Sequence, residues 1–253
     1  MLASRIRAMT APHWLALFAA VMASWVLIYV TSVPLAYREF TDIYGAEFLA
    51  SLCLVTPDVA GFFRSTAMWA LMSAAMMVPS ALPAIATYDD LTRAAGRPGI
   101  AGLLAGYMSV WLGFSVVAAL LQLALLDGGL IDVLGQSRSA LFTAGLLAFA
   151  GVYQFSSLKA ACLRQCRTPL SFFMERWDDG AFRNGVHLGV VCLGCCWALM
   201  LLAFVGGTMS LAFMGLAMVL MTFEKLPEFG RLLTFPVGIA LIFSATWSMV
   251  LAF

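Results

Sequence analysis

The sequence predicts an all-α, polytopic membrane helical bundle of about seven transmembrane helices, with its N-terminus cytoplasmic and its C-terminus periplasmic. Three observations predict it. Residues of the AVILMFWYC set make up 63% of the 253, charged residues only 11%, and the mean hydropathy is +0.96. A soluble globule carries about a quarter charged residues, so this chain cannot cover a water-facing surface. Soluble enzyme, disordered tail and secreted disulfide scaffold are excluded as readings of the whole. Seven segments, some of them short, are apolar enough to approach the roughly 20 residues that a spanning helix needs. The basic residues, finally, fall unevenly between the two sides. Residues 1–253 read as a single integral membrane domain whose first partner is the lipid bilayer. A net charge of +1 points to no nucleic acid.

The first segment, about 14–33, is entered from Arg5 and Arg7. It is too long for the apolar core of a secretory signal and no convincing cleavage site follows, so it reads as a retained helix. His13, beside Trp14, reads as an interfacial anchor. The second span is about 66–86, the third 100–126 and the fourth 139–158. The fifth, about 185–205, is joined through Gly206-Gly207 to a short sixth at 208–223, and the seventh is 232–251. Gly102 and Gly106 are four apart on the third helix, as are Gly185 and Gly189 on the fifth. Small residues at that spacing let backbones approach closely. The outer loop 34–65 holds Glu39, Asp42, Glu47 and Asp58, and residues 41–54 predict a short interfacial helix. The inner loop 159–184 holds five of the 14 basic residues, suited to setting topology or touching anionic headgroups.

With the N-terminus inside, Arg38, Arg64 and Arg138 lie outside and the other eleven of the 14 basic residues lie inside. This is the positive-inside bias, and an even number of spans would mix the two groups. No Asp, Glu, Lys or Arg falls within a core span on this reading. That counts against an ion pump with an intramembrane carboxylate relay. The segments do not pair into two similar halves, which weakens an inverted-repeat transporter.

Five of the six cysteines lie in the inner half of the molecule. Cys162 and Cys166 end the fourth helix; Cys192, Cys195 and Cys196 lie on the fifth. Cys53 stands alone on the outer side and reads as a small buried hydrophobe. The cytosol is reducing, so structural disulfides are not expected there, and clustered thiols suit soft metal ions. At about 100° per residue, Cys162 and Cys166 share a face, and Cys192, Cys196 and Met200 share another. Cys195 sits about 60° to the other side of Cys192, which places the three thiols within an arc of about 100°. His187 is about 140° from Cys192, a poor partner on a regular helix. The two thiol groups are roughly 10–15 Å apart along the membrane normal. A shared site needs the chain after Cys166 to fold back, and two separate sites fit equally well. Palmitoylation is the specific rival for Cys162 and Cys166.

Methionine is the second feature, with 15 in the chain. Met68, Met72 and Met76 form one stripe on the second helix, followed by Met77; Met209, Met214, Met218 and Met221 lie on the sixth. Thioethers with thiolates favour Cu(I), while methionine also fills apolar cores. Pro79 and Pro83 remove backbone donors from the second helix. The carbonyls freed at Ala75 or Met76 either line a site or are satisfied by a neighbouring helix. Glu224 and Lys225 read as an interfacial pair, with Glu224 within reach of an inner metal site.

No P-loop, dinucleotide turn or zinc-protease motif appears. Several runs together resemble a known family. These are Met68-Trp-Ala-Leu-Met72-Ser-Ala-Ala-Met76-Met77-Val-Pro79; Tyr153-Gln154 with Leu158-Lys159 and Cys162-x-x-x-Cys166-Arg167-x-Pro169; and Gly185-x-His187-x-Gly189-x-x-Cys192-x-Gly194-Cys195-Cys196-Trp197-Ala198-Leu199-Met200. Glu224-Lys225 closes the match. The family is the predicted metal-binding integral membrane proteins, a bacterial domain of unknown function, and the resemblance covers residues 68–225. It implies a multi-pass protein of the bacterial inner membrane with a metal site among these residues.

The leading expectation is a metal-binding inner-membrane protein that binds or conducts Cu(I), with Zn as the alternative ion. Its ligand set is Cys162, Cys166, Cys192, Cys195, Cys196, His187, Met72, Met76 and Met200. A metal chaperone or other membrane subunits are the expected partners. Without a nucleotide site, active pumping would draw on a partner or a gradient. Two alternatives stand beside it: a membrane enzyme or enzyme subunit using a metal or thiol site near Tyr153, Gln154 or Lys159, and a structural or assembly subunit whose thiols only pack.

Overall fold

Lipid offers no partner to a backbone N–H or C=O, so a chain of this composition must satisfy those groups within helices. A computed structural model describes residues 12–32, 56–97, 99–208, 210–227 and 230–250, and they do so. The helices are α1 (Pro12–Ser32), α2 (Val59–Ala94), α3 (Ile100–Asp127), α4 (Ala140–Gln154) and α5 (Ser157–Arg167). They continue as α6 (Pro169–Met174), α7 (Gly180–Leu201), α8 (Ala203–Gly206), α9 (Leu211–Lys225) and α10 (Gly230–Val250). A helix begins where a side chain can take up its free amides. Asp58, Ser139, Ser156 and Ser210 each accept from a backbone N–H three residues on, starting α2, α4, α5 and α9.

Five of these helices are long and apolar enough to cross a membrane, and six if the bent pair α4–α5 is one span. The sixth expected segment forms α9, whose 15 residues reach about 22 Å at 1.5 Å each, short of a hydrocarbon core of about 30 Å. The fourth is not one rod. It stops at Gln154, and Ser156 caps a new helix bent by 60°. The second is longer than expected at 36 residues, so the outer loop ends at Asp58. The expected interfacial helix at 41–54, and Cys53, lie outside the described residues.

The α3–α7 packing follows from glycine. A Cβ on Gly185 would stand 2.0 Å from the Leu103 carbonyl oxygen, and one on Gly106 2.1 Å from that of Phe182. The two backbones therefore touch at a spacing that no larger residue permits. Gly102 and Gly189 lie on the same seam, against Ala181 and Val110.

The expectation that charges avoid the helical core is corrected. Lys159 and Glu224 are both 1% exposed and paired at 2.8 Å. Asp89, inside the lengthened α2, is buried and engaged by Trp14 Nε1 at 2.9 Å, Arg93 at 2.9 Å and His13 at 3.2 Å. Each carboxylate is tolerated because a cation or N–H donor meets it. His13 thus serves as a tie between α1 and α2. Of the two carbonyls considered beside Pro79, that of Ala75 accepts from Trp25 Nε1 of α1 at 3.0 Å.

Candidate metal centre

The centre is built on one turn of α7. A helix repeat places residues i, i+3 and i+4 side by side, and the sulfurs of Cys192, Cys195 and Cys196 all lie within 4.8 Å of one another. Each residue is 1% exposed. Cys195 Sγ is 3.2 Å from Cys196 Sγ and donates to the Cys192 carbonyl at 3.1 Å. All five described cysteines are free thiols.

The second pair of cysteines follows the 60° bend before α5. There α5 packs against α7, and Cys162 Sγ sits 2.6 Å from where a Cβ on Gly194 would be. Gly194 is thus the gap into which the Cys162 sulfur fits. Cys166 lines a cavity of about 20 Å³ together with Cys192, Ser80, Leu188 and Lys225. Cys166 and Lys225 also line a larger, open cavity of about 410 Å³, whose wall carries Asp89, Asp90, Arg167 and Trp14. The two cavities share Pro83, Cys166 and Lys225, and the smaller one reaches Cys192.

Two partners of Cys192 come from elsewhere in the chain. Lys225 Nζ lies 2.9 Å from Cys192 Sγ and donates to Ser80 Oγ at 2.7 Å. The Tyr107 hydroxyl lies 3.1 Å from the same sulfur and donates to the Met77 carbonyl at 2.9 Å. Sequence reasoning placed Lys225 at an interface and passed over Tyr107. A lysine ending an apolar helix looks interfacial unless the neighbouring helices are known. The pair Glu224-Lys225 in fact splits, with Glu224 turned to Lys159 and Lys225 turned to the thiols.

The remaining expected ligands divide. Met72, Met76 and Met200 are buried and line a common small cavity with Met214. His187 is not brought to the thiols: its ring is 46% exposed and faces Asp179 at 3.7 Å. Of the polar groups considered for an enzyme site, Tyr153 donates to the Gly194 carbonyl and Lys159 to Glu224. Both are committed to holding helices together.

A family model, PpoB2, described as a copper chaperone, matches residues 66–248. The chain belongs to the PpoB2 copper-chaperone family. No curated protein and no solved structure matches it. The match runs from α2 through most of α10 and includes every thiol of the centre. The donor set fits a copper-chaperone family on chemical grounds. Three clustered thiols form a soft ligand set, which selects ions such as Cu(I) over hard cations. Thiols lose their protons on binding metal, and the Lys225 ammonium sets a positive charge against the negative complex that results.

Proposed function

We propose that this membrane protein receives Cu(I) at its cytoplasmic side and carries it inward on Cys192, Cys195 and Cys196. The observation that carries the reading is the buried three-sulfur cluster in a chain of a copper-chaperone family, beside cavities that share Cys166. Cys166, at the junction of the two cavities, is the first thiol an arriving ion meets. Cys162, seated against Gly194, is a further ligand on the flank of the cluster. Met72, Met76 and Met200 extend the soft lining beyond it.

The positive-inside bias supports a cytoplasmic mouth, because Arg167 lines it and Arg93 pairs with its wall residue Asp89. The resemblance to predicted metal-binding integral membrane proteins over 68–225 falls within the matched 66–248. It supports a single domain in a bacterial inner membrane. A metal chaperone or another membrane subunit supplies or accepts the ion. Conduction by ligand exchange suits an ion that prefers few, soft ligands; Zn(II), which takes four-coordinate sites, is the ion the centre must reject.

The test is elemental analysis of protein purified in mild detergent under reducing, anaerobic conditions, with and without Cu(I) loading. Stoichiometric copper, with the tightly bound equivalent lost from Cys192→Ser/Cys196→Ser at unchanged helical content, is the expected result. Full copper in that variant would sink the assignment.

A further inference from the structure

Beyond the thiols lies a second arrangement of sulfur. Met72 and Met76 of α2, Met200 of α7 and Met214 of α9 line one cavity of about 10 Å³. The other lining residues, Leu199, Ala203, Phe213 and Ala217, bring only hydrocarbon side chains. All four methionines are at most 3% exposed. A void of this size admits roughly one water-sized sphere. Water needs two to four polar partners to stay, and the side chains here provide none. The void suits a bare ion stripped of its hydration.

Position adds to chemistry. Ser80 and Cys192 face a common cavity, and so do Met72 and Met200. Each pair is separated from the other by eight residues of helix, about 12 Å at 1.5 Å per residue. The two helices thus step together from the thiol level to the thioether level, away from the mouth.

We propose that this cavity is a second Cu(I) site, made of thioethers alone. The inference rests on the copper reading of the chain and adds a separate site to it. Thioether sulfur selects Cu(I). It carries no charge, so a divalent ion would sit there with nothing to offset it in a low-dielectric interior. Cu(I) held there keeps its single charge and is bound more weakly than at three thiolates. Thioethers also hold no proton to release, so binding at this site is independent of pH where binding at thiols is not.

The test is anaerobic Cu(I) titration of the full chain in detergent, repeated with Ag(I). Met72→Leu/Met214→Leu keeps the volume apolar and nearly constant. It is expected to lose one weaker equivalent and to retain the tighter, pH-dependent one. Unchanged stoichiometry in that variant overturns the proposal. Cys192→Ser/Cys196→Ser is expected to keep the weaker, pH-independent equivalent, with copper X-ray absorption showing a sulfur-only shell. A shell containing nitrogen or oxygen, or loss of every equivalent, overturns the separate site while leaving the thiol reading in place. If the thiol reading alone fails, the wild-type chain binds one pH-independent equivalent that the methionine variant lacks.

Discussion

Lys225 Nζ lies 2.9 Å from Cys192 Sγ, inside the bundle and 6% exposed. The lysine comes from the last turn of α9 and the cysteine from the middle of α7. A Cu(I) ion on three thiolates leaves net negative charge in a low-dielectric interior, and the ammonium offsets part of it. Lys225→Met retains the apolar stem and removes the charge. Groups that support metal ligands without touching the metal are worth about 10–100-fold in affinity, and a loss in that range is expected in competition titrations against a Cu(I) chelator. Unchanged affinity would show that the ammonium serves folding alone.

The Lys159–Glu224 pair is predicted to govern stability. Both side chains are 1% exposed. Glu224→Gln removes the charge opposite Lys159, and breaking a buried pair from one side costs about 3–5 kcal/mol. Lys159→Met/Glu224→Leu removes both charges and is expected to recover most of that loss. Unfolding of the three proteins in one detergent measures the difference. Equal stability of Glu224→Gln and wild type would mean that water reaches the pair.

Gly185→Ala is expected to disturb the α3–α7 seam, because its Cβ would collide with the Leu103 carbonyl rather than with a movable side chain. Overpacking of this kind costs about 1–3 kcal/mol. A Cβ on Gly145, on the exposed side of α4, meets nothing within 4 Å, so Gly145→Ala is the control and should be neutral to stabilising by up to about 1 kcal/mol. Thermal melts that place the two variants together would contradict the seam.

Metal should stabilise the fold measurably. A ligand that binds the native state alone adds about 2.7 kcal/mol at one hundred times its Kd. Cu(I) loading is therefore expected to raise the melting temperature, and removal by a chelator to return it. Cys192→Ser/Cys196→Ser should lose most of the rise. A variant that retains the full shift would place the stabilising ion elsewhere.

Membrane class was written in composition, since a chain with 11% charged residues has no surface to offer water. The thiol cluster was legible for a local reason. Cys192, Cys195 and Cys196 are one, three and four residues apart on a single helix, and the helical repeat alone brings their sulfurs together. The close packing of Gly106 and Gly185 was legible in the same way, from small residues at a repeating interval. Propensity and capping could have flagged the break at Ser156, but apolar residues on both sides of it read as one continuous span.

What the sequence by itself determined, then, is the solvent of the chain, its helical class and the faces that each helix carries. Tertiary structure alone decided which faces meet. It packed α5 against α7, turned Lys225 to Cys192 and Glu224 to Lys159, left His187 facing Asp179, and added Met214 to a cavity shared by Met72, Met76 and Met200. The physical reason is range. Spacing within a helix is set by backbone hydrogen bonds a few residues apart. Contacts between helices depend on bends and on points of closest approach, which arise only when distant segments pack.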